Sequence, residues 1–120
     1  MKWQEWRSIA DDAAIWAGRQ EKGLLKAEYI DNYRLRLWFE EELDVSIYEL
    51  DFQPLLVEEN PGGVFSVLKK KERFKIVRGD YALVWPALEM NESKTVDLAP
   101  ECVRFFCERY GKTVKSARKR

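Results

Sequence analysis

The sequence predicts an α+β fold: a small antiparallel β-sheet with an N-terminal amphipathic helix and a C-terminal helix packed against it. Apolar residues recur at three-to-four spacing through Trp3, Trp6, Ala10, Ala13 and Ala17, the stripe of an amphipathic helix. From Leu24 the period drops to two, as in half-buried strands. After Pro100, residues Val103, Phe106, Cys107 and Tyr110 return to helical spacing. A chain of 120 residues is one domain's worth. It is read as a single α+β domain over 1–111, with a Trp-rich helix in 1–23, a β-rich body in 24–99 and a helix in 100–111. A basic tail follows over 112–120.

The first helix runs from about residue 2 to about residue 18, with Ile9 and Trp16 beside its apolar stripe and Gly18 and Gly23 at its exit. Three Trp residues are a heavy apolar load for one helix of a small domain. The helix is therefore expected on its own sheet, with docking to another molecule through Trp3, Trp6 and Trp16 as the alternative.

In "LLKAEYIDN" and "YRLRLWFEE", Tyr33, Leu35, Leu37 and Phe39 alternate with Arg34, Arg36 and Trp38, and Asp31-Asn32 is a hairpin signal. "LDVSIYEL" supplies a third strand, with Val45, Ile47 and Glu49 on one side and Leu43 at its start. The three make an antiparallel meander with one face covered and one wet.

Pro54 suits the first turn of a short helix, and Asn60-Pro61-Gly62-Gly63 makes a loop. Phe65, Leu68 and Phe74 anchor a segment whose Lys69 to Arg73 form a solvated helical turn. Phe74 and Ile76 belong to one strand alternation, Lys75 and Val77 to the other. "YALVW" is a strand that Pro86 ends at a sheet margin, and "KTVDL" is a short one. Phe74, Ile76, Leu83 and Trp85 are the expected core of this half. Pro100 opens the last helix and Gly111 ends it.

The composition excludes more functions than it suggests. There is no His, which removes the commonest general base, metal ligand and pH switch. Cys102 and Cys107 are two thiols where a tetrahedral zinc site takes four ligands. Their spacing puts them on different helix faces, so they read as structural thiols of a reducing compartment. No phosphate loop, nucleophile elbow or metalloprotease motif occurs. Glu40-Glu41-Glu42 reads as a solvated hairpin turn, and Asp80 and Asp97 as turn and cap residues. No apolar run approaches the roughly 18 to 20 residues that span a bilayer. Acids and Trp occupy the place of a signal peptide's apolar core. A cytoplasmic protein without catalysis, cofactor, metal or membrane contact is expected.

The net charge is zero but unevenly spread. Glu40 to Glu59 holds eight acids and no base, Lys69 to Arg78 six bases against Glu72, and Lys112 to Arg120 five bases and no acid. One reading is mutual neutralisation across a sheet, with Arg34 and Arg36 facing acids of the third strand. The other is attraction of a charged partner. For nucleic acid, Lys69, Lys70, Lys71, Arg73, Lys75 and Arg78 would meet phosphates while Tyr81 or Trp85 stacks on a base. Arg118, Lys119 and Arg120 of the tail would follow the backbone. Against this stand the neutral total, the acidic segment and the lack of a recognition helix. The leading expectation is a protein–protein interaction or regulatory module, a monomer or weak homodimer, with nucleic-acid binding as the alternative.

Read in order, "NYRLRLWFEEE", "YELDFQPLL", "FSVLKKKERFKIV", "YALVWP" and "VDLAPE" resemble an uncharacterised bacterial family, number 2442 of the domains of unknown function, over about residues 24–106. The chain departs from that pattern at Glu40-Glu41-Glu42, where the family has a Gly, and at Lys69 to Arg73, where it often has a Pro. It also inserts "ALEMNESKTV" after Pro86. The resemblance implies a small α+β protein. Some members are fused to a helix-turn-helix or encoded beside toxin–antitoxin-like partners, which implies a regulatory, antitoxin-like role by analogy.

Overall fold

The computed structural model describes residues 12, 22–58, 65–86 and 96–116. The expected Trp-rich helix, with Trp3, Trp6 and Trp16, lies outside the described residues except at Asp12, which is exposed and in no helix, and the Asn60 to Gly63 loop lies outside them too. Within them the fold is mixed α+β.

Strands β1 (Leu24–Asp31), β2 (Arg34–Glu40) and β3 (Val45–Asp51) form the expected antiparallel meander. Asn32 and Tyr33 both have positive φ, 45° and 64°, as in the two-residue turn whose twist matches a hairpin. Tyr33 therefore sits in the turn rather than in the strand. Strand register places Leu35 opposite Leu50, Leu37 opposite Tyr48 and Phe39 opposite Ser46, and all six are buried. One residue out of phase, Arg34, Arg36 and Trp38 pair with Asp51, Glu49 and Ile47 on the other face. Leu43 is exposed in the preceding turn.

Helix α1 (Gln53–Glu58) has Pro54 in its first turn, and the Asp51 carboxylate accepts the Gln53 amide at 2.9 Å. A 3-10 turn (Ser66–Lys69) and a single helical turn, α2 (Lys71–Phe74), follow the second described segment's start. Leu68 and Phe74 anchor them in the core.

Here the structure corrects the single expected sheet. Phe74 is buried because it closes α2, not because it lies in a strand, and the chain re-enters β structure only at Arg78. Ile76 is only half-buried, whereas Val77 is buried. Strands β4 (Arg78–Asp80), β5 (Ala82–Trp85) and β6 (Val96–Leu98) then make a separate three-stranded antiparallel sheet. The two sheets meet at a seam. Leu24 and Tyr81 exchange both backbone hydrogen bonds, at 2.9 and 3.0 Å. Gly79 lies so close to β1 that a Cβ there would stand 2.5 Å from the Lys26 carbonyl carbon and 2.7 Å from the Ala27 nitrogen.

Helix α3 (Pro100–Tyr110) starts at its proline and stops at Gly111, whose amide donates to the Cys107 carbonyl at 2.8 Å. It packs against β3, β5 and the segment Lys112–Lys115 that follows it. That wide cover buries both Cys102 and Cys107, although five residues separate them by about 140° around the helix. The first residues of the expected basic tail are instead a strand. Lys112–Lys115 is strand β7, antiparallel to β3, giving a four-stranded sheet in the order β1-β2-β3-β7. Alternating neither in polarity nor in burial, "KTVK" carries no core signal, and its strand state comes from pairing with β3.

Both sheets share one core. The Phe52, Phe74 and Trp85 rings meet with centroids 5.6, 5.7 and 6.0 Å apart.

Candidate partner-binding surface

The basic segment divides when placed on the fold. Lys69, Lys70, Lys71, Lys75 and Arg78 are exposed, whereas Arg73 is only 5 % exposed and donates to the Pro86 carbonyl at 2.6 Å. Arg73 holds α2 to the end of β5, which takes it out of the set expected on phosphates. Lys71 lies over the Tyr33 ring at 5.7 Å and Lys75 over Tyr29 at 5.6 Å. The Tyr33 hydroxyl donates to the Lys69 carbonyl, and both tyrosine rings stand edge-on to Phe74. The two π faces nearest the cations are thus already covered by lysine.

Of the two residues expected to stack on a base, Trp85 is fully buried and its indole donates to the Phe74 carbonyl at 3.0 Å. Tyr81 is 58 % exposed, at the seam. Arg118, Lys119 and Arg120 lie outside the described residues.

Two acids of the acidic segment, Glu49 and Asp44, are met by bases of their own sheet. Arg36 binds Glu49 from β2, with Arg34 at 4.0 Å. The Arg36 hydrogen bond holds the Glu49 carboxyl below the usual carboxylate range. Lys112 stands opposite Glu49 in register, and Lys115 pairs with Asp44 at 2.7 Å. At Glu49 and Asp44 the charge segregation seen in the sequence is thus answered by neutralisation within the four-stranded sheet, whereas Lys69 to Arg78 take no part in it.

A residue that the sequence did not single out, Arg104, ties α3 to the β2–β3 hairpin. It pairs with Glu41 and Glu108, each at 3.0 Å, and its guanidinium lies over the Phe39 and Tyr48 rings at 5.2 and 5.1 Å. Glu41 also accepts from the buried Ser46 hydroxyl at 2.6 Å. Burial raises the Tyr48 phenol above its ordinary pKa. This cluster is packed and internally paired, which suits an anchor better than a binding site. The i, i+4 spacing of Arg104 and Glu108 was its one signal in the sequence.

Two surface features remain. At the seam, Lys22, Gly23, Leu24, Leu25, Glu40, Gly79, Asp80 and Tyr81 line a shallow pocket of about 250 Å³, and Leu25 is half exposed beside Tyr81. On the opposite side of the four-stranded sheet, β7 is exposed at all four residues, Val114 included at 44 %. Among the described residues, no group of three or more His, Cys, Asp or Glu is placed to hold a metal ion. No helix among them is long and apolar enough to cross a membrane. None of the family models, curated proteins or solved structures compared with the chain matches it.

Proposed function

We propose that the protein is a small non-enzymatic cytoplasmic module that acts by binding another protein, in a regulatory, antitoxin-like role. The observation that carries this reading is the seam. An exposed Leu25 and Tyr81 lie together there, flanked by Lys22, Glu40 and Asp80. An apolar anchor ringed by charges of both signs is the composition of a protein interface rather than of a phosphate track. The resemblance to family 2442, which we propose as the chain's kinship, supports the same role. As a free protein it would be a monomer or weak homodimer.

The test is affinity capture with wild type and with the double variant Leu25→Ser/Tyr81→Asn. Asn is chosen because Tyr81 has a φ of 63°, which Asn tolerates. A partner held by wild type and lost by a variant of unchanged melting temperature is the expected result. Equal capture by both would overturn the reading.

Nucleic-acid binding keeps one observation in its favour, the five exposed cations from Lys69 to Arg78. A salt titration against random DNA and RNA decides it. Micromolar binding with a steep salt slope would promote it over the protein-binding reading.

A further inference from the structure

We infer that the outer edge of β7 accepts an extended, acidic segment of a protein partner as an added strand. The inference rests on the protein-binding reading and names the chemistry of what is bound. Strand β7 is the last of its sheet, and among the described residues no strand pairs with its outer side. Its four residues are exposed, which leaves this edge accessible to a further strand. Main-chain hydrogen bonds to a sheet edge are a general mode of peptide recognition.

Charge selects the occupant. Lys112 and Lys115 guard the edge against apolar strands, as edge lysines do. A second copy is a poor occupant too, because antiparallel β7–β7 pairing would oppose lysine to lysine. On its inner side the strand already takes an acidic neighbour: Lys112 stands opposite Glu49, and Lys115 reaches Asp44 from its place opposite Ile47. The register shift between Ile47 and Tyr48 turns both lysines toward the open face of the sheet. An ammonium has three donors, so the carboxylate on the inner side leaves capacity for one on the outer. The sequence beyond β7 adds Arg118, Lys119 and Arg120 with no acid. Val114, at 44 % exposure, offers an apolar contact between the two cations. The complementary segment is therefore an extended one that alternates carboxylate and β-branched side chains.

The experiment uses the full chain and three capped, fluorescein-labelled peptides. One alternates Glu and Val, the second replaces Glu by Lys, and the third keeps the Glu residues but is interrupted by Pro. The Glu–Val peptide is expected to bind saturably, and about tenfold more weakly in high salt than in low. It should slow amide exchange and shift backbone resonances at Lys112 to Lys115. Lys112→Gln/Lys115→Gln should weaken it by about tenfold. Val114→Pro, which removes a backbone N–H from β7, should weaken it as well. Because the proline could disturb β7 itself, the glutamine variant is the deciding one. Equal binding of the Pro-interrupted peptide would reduce the effect to bulk charge and overturn the inference. So would no binding, or shifts confined to Lys69 to Arg78. A captured partner unaffected by Lys112→Gln/Lys115→Gln but lost in Leu25→Ser/Tyr81→Asn would overturn the inference and leave the protein-binding reading standing.

Discussion

Trp85 joins the two halves of the core at the level of one side chain. It is fully buried, packs on Phe52 and Phe74, and donates its indole N–H to the Phe74 carbonyl. Trp85→Phe keeps a ring but strands that carbonyl and leaves a small void, so chemical denaturation should show a loss of about 2 to 3 kcal/mol. The thiols make a pH prediction. Burial pushes Cys102 from 9.0 to about 12, and pushes Cys107 up as well. The fold therefore favours the neutral thiol, and the unfolded chain releases the proton first. Their contribution is fully present below about pH 9 and is lost as pH rises from there toward 12. Urea midpoints should fall as pH rises from about 9 toward 12, and Cys102→Ala/Cys107→Ala should flatten that fall. Period alone made Leu35, Leu37, Phe39, Leu83, Trp85 and Phe106 legible as core. It failed at Ile76 and Arg73. A four-residue helical turn shifts the phase there, and a long basic side chain can bury its stem while its head finds a carbonyl.

Elements that form from their own periodicity were legible, and those that form by pairing were not. The β1–β3 meander and α3 carry alternation, turn residues, an opening Pro and a closing Gly in the sequence, and each stands near its expected place. Strand β7 has none of these signals. Gly111 lets it form: a Cβ there would lie 2.7 Å from the Cys107 carbonyl oxygen and 3.1 Å from that of Glu49. The chain thus crosses tightly from the end of α3 onto β3. A chain ending at Gly111 separates strand from tail. A solvated tail would leave stability unchanged. Loss of a strand removes a few ladder hydrogen bonds, at about 1 kcal/mol each, and uncovers the Glu49 edge of β3. A loss of about 2 to 3 kcal/mol is expected in denaturant titration, with faster amide exchange along Val45 to Asp51. The same open edge of β7 is what no residue pattern could announce, because it depends on which strand ends the sheet.

For the whole molecule the question is whether two sheets behave as one cooperative unit. The seam between them is backbone against backbone, at Leu24–Tyr81 and at Gly79 over Lys26. The core beneath is shared, since Phe52 follows β3, Phe74 closes α2 and Trp85 ends β5. Gly79→Ala puts a methyl carbon where the β1 backbone already stands, 2.5 Å away. Neither neighbour is the flexible end of a side chain, so a strand must move, at a cost of about 1 to 3 kcal/mol. If the seam alone held the halves together, this variant would unfold in two steps, with the three-stranded sheet melting first. If the shared aromatic core holds them, the variant's midpoint drops but its transition stays single. The second outcome is expected, because β4 has three residues and β6 three. A sheet that small has no independent stability once Trp85 leaves its aromatic neighbours. Far-ultraviolet circular dichroism and near-ultraviolet aromatic signals, followed together through denaturant, should coincide for wild type and for Gly79→Ala. Separated transitions in the variant would place the cooperativity in the seam instead of the core.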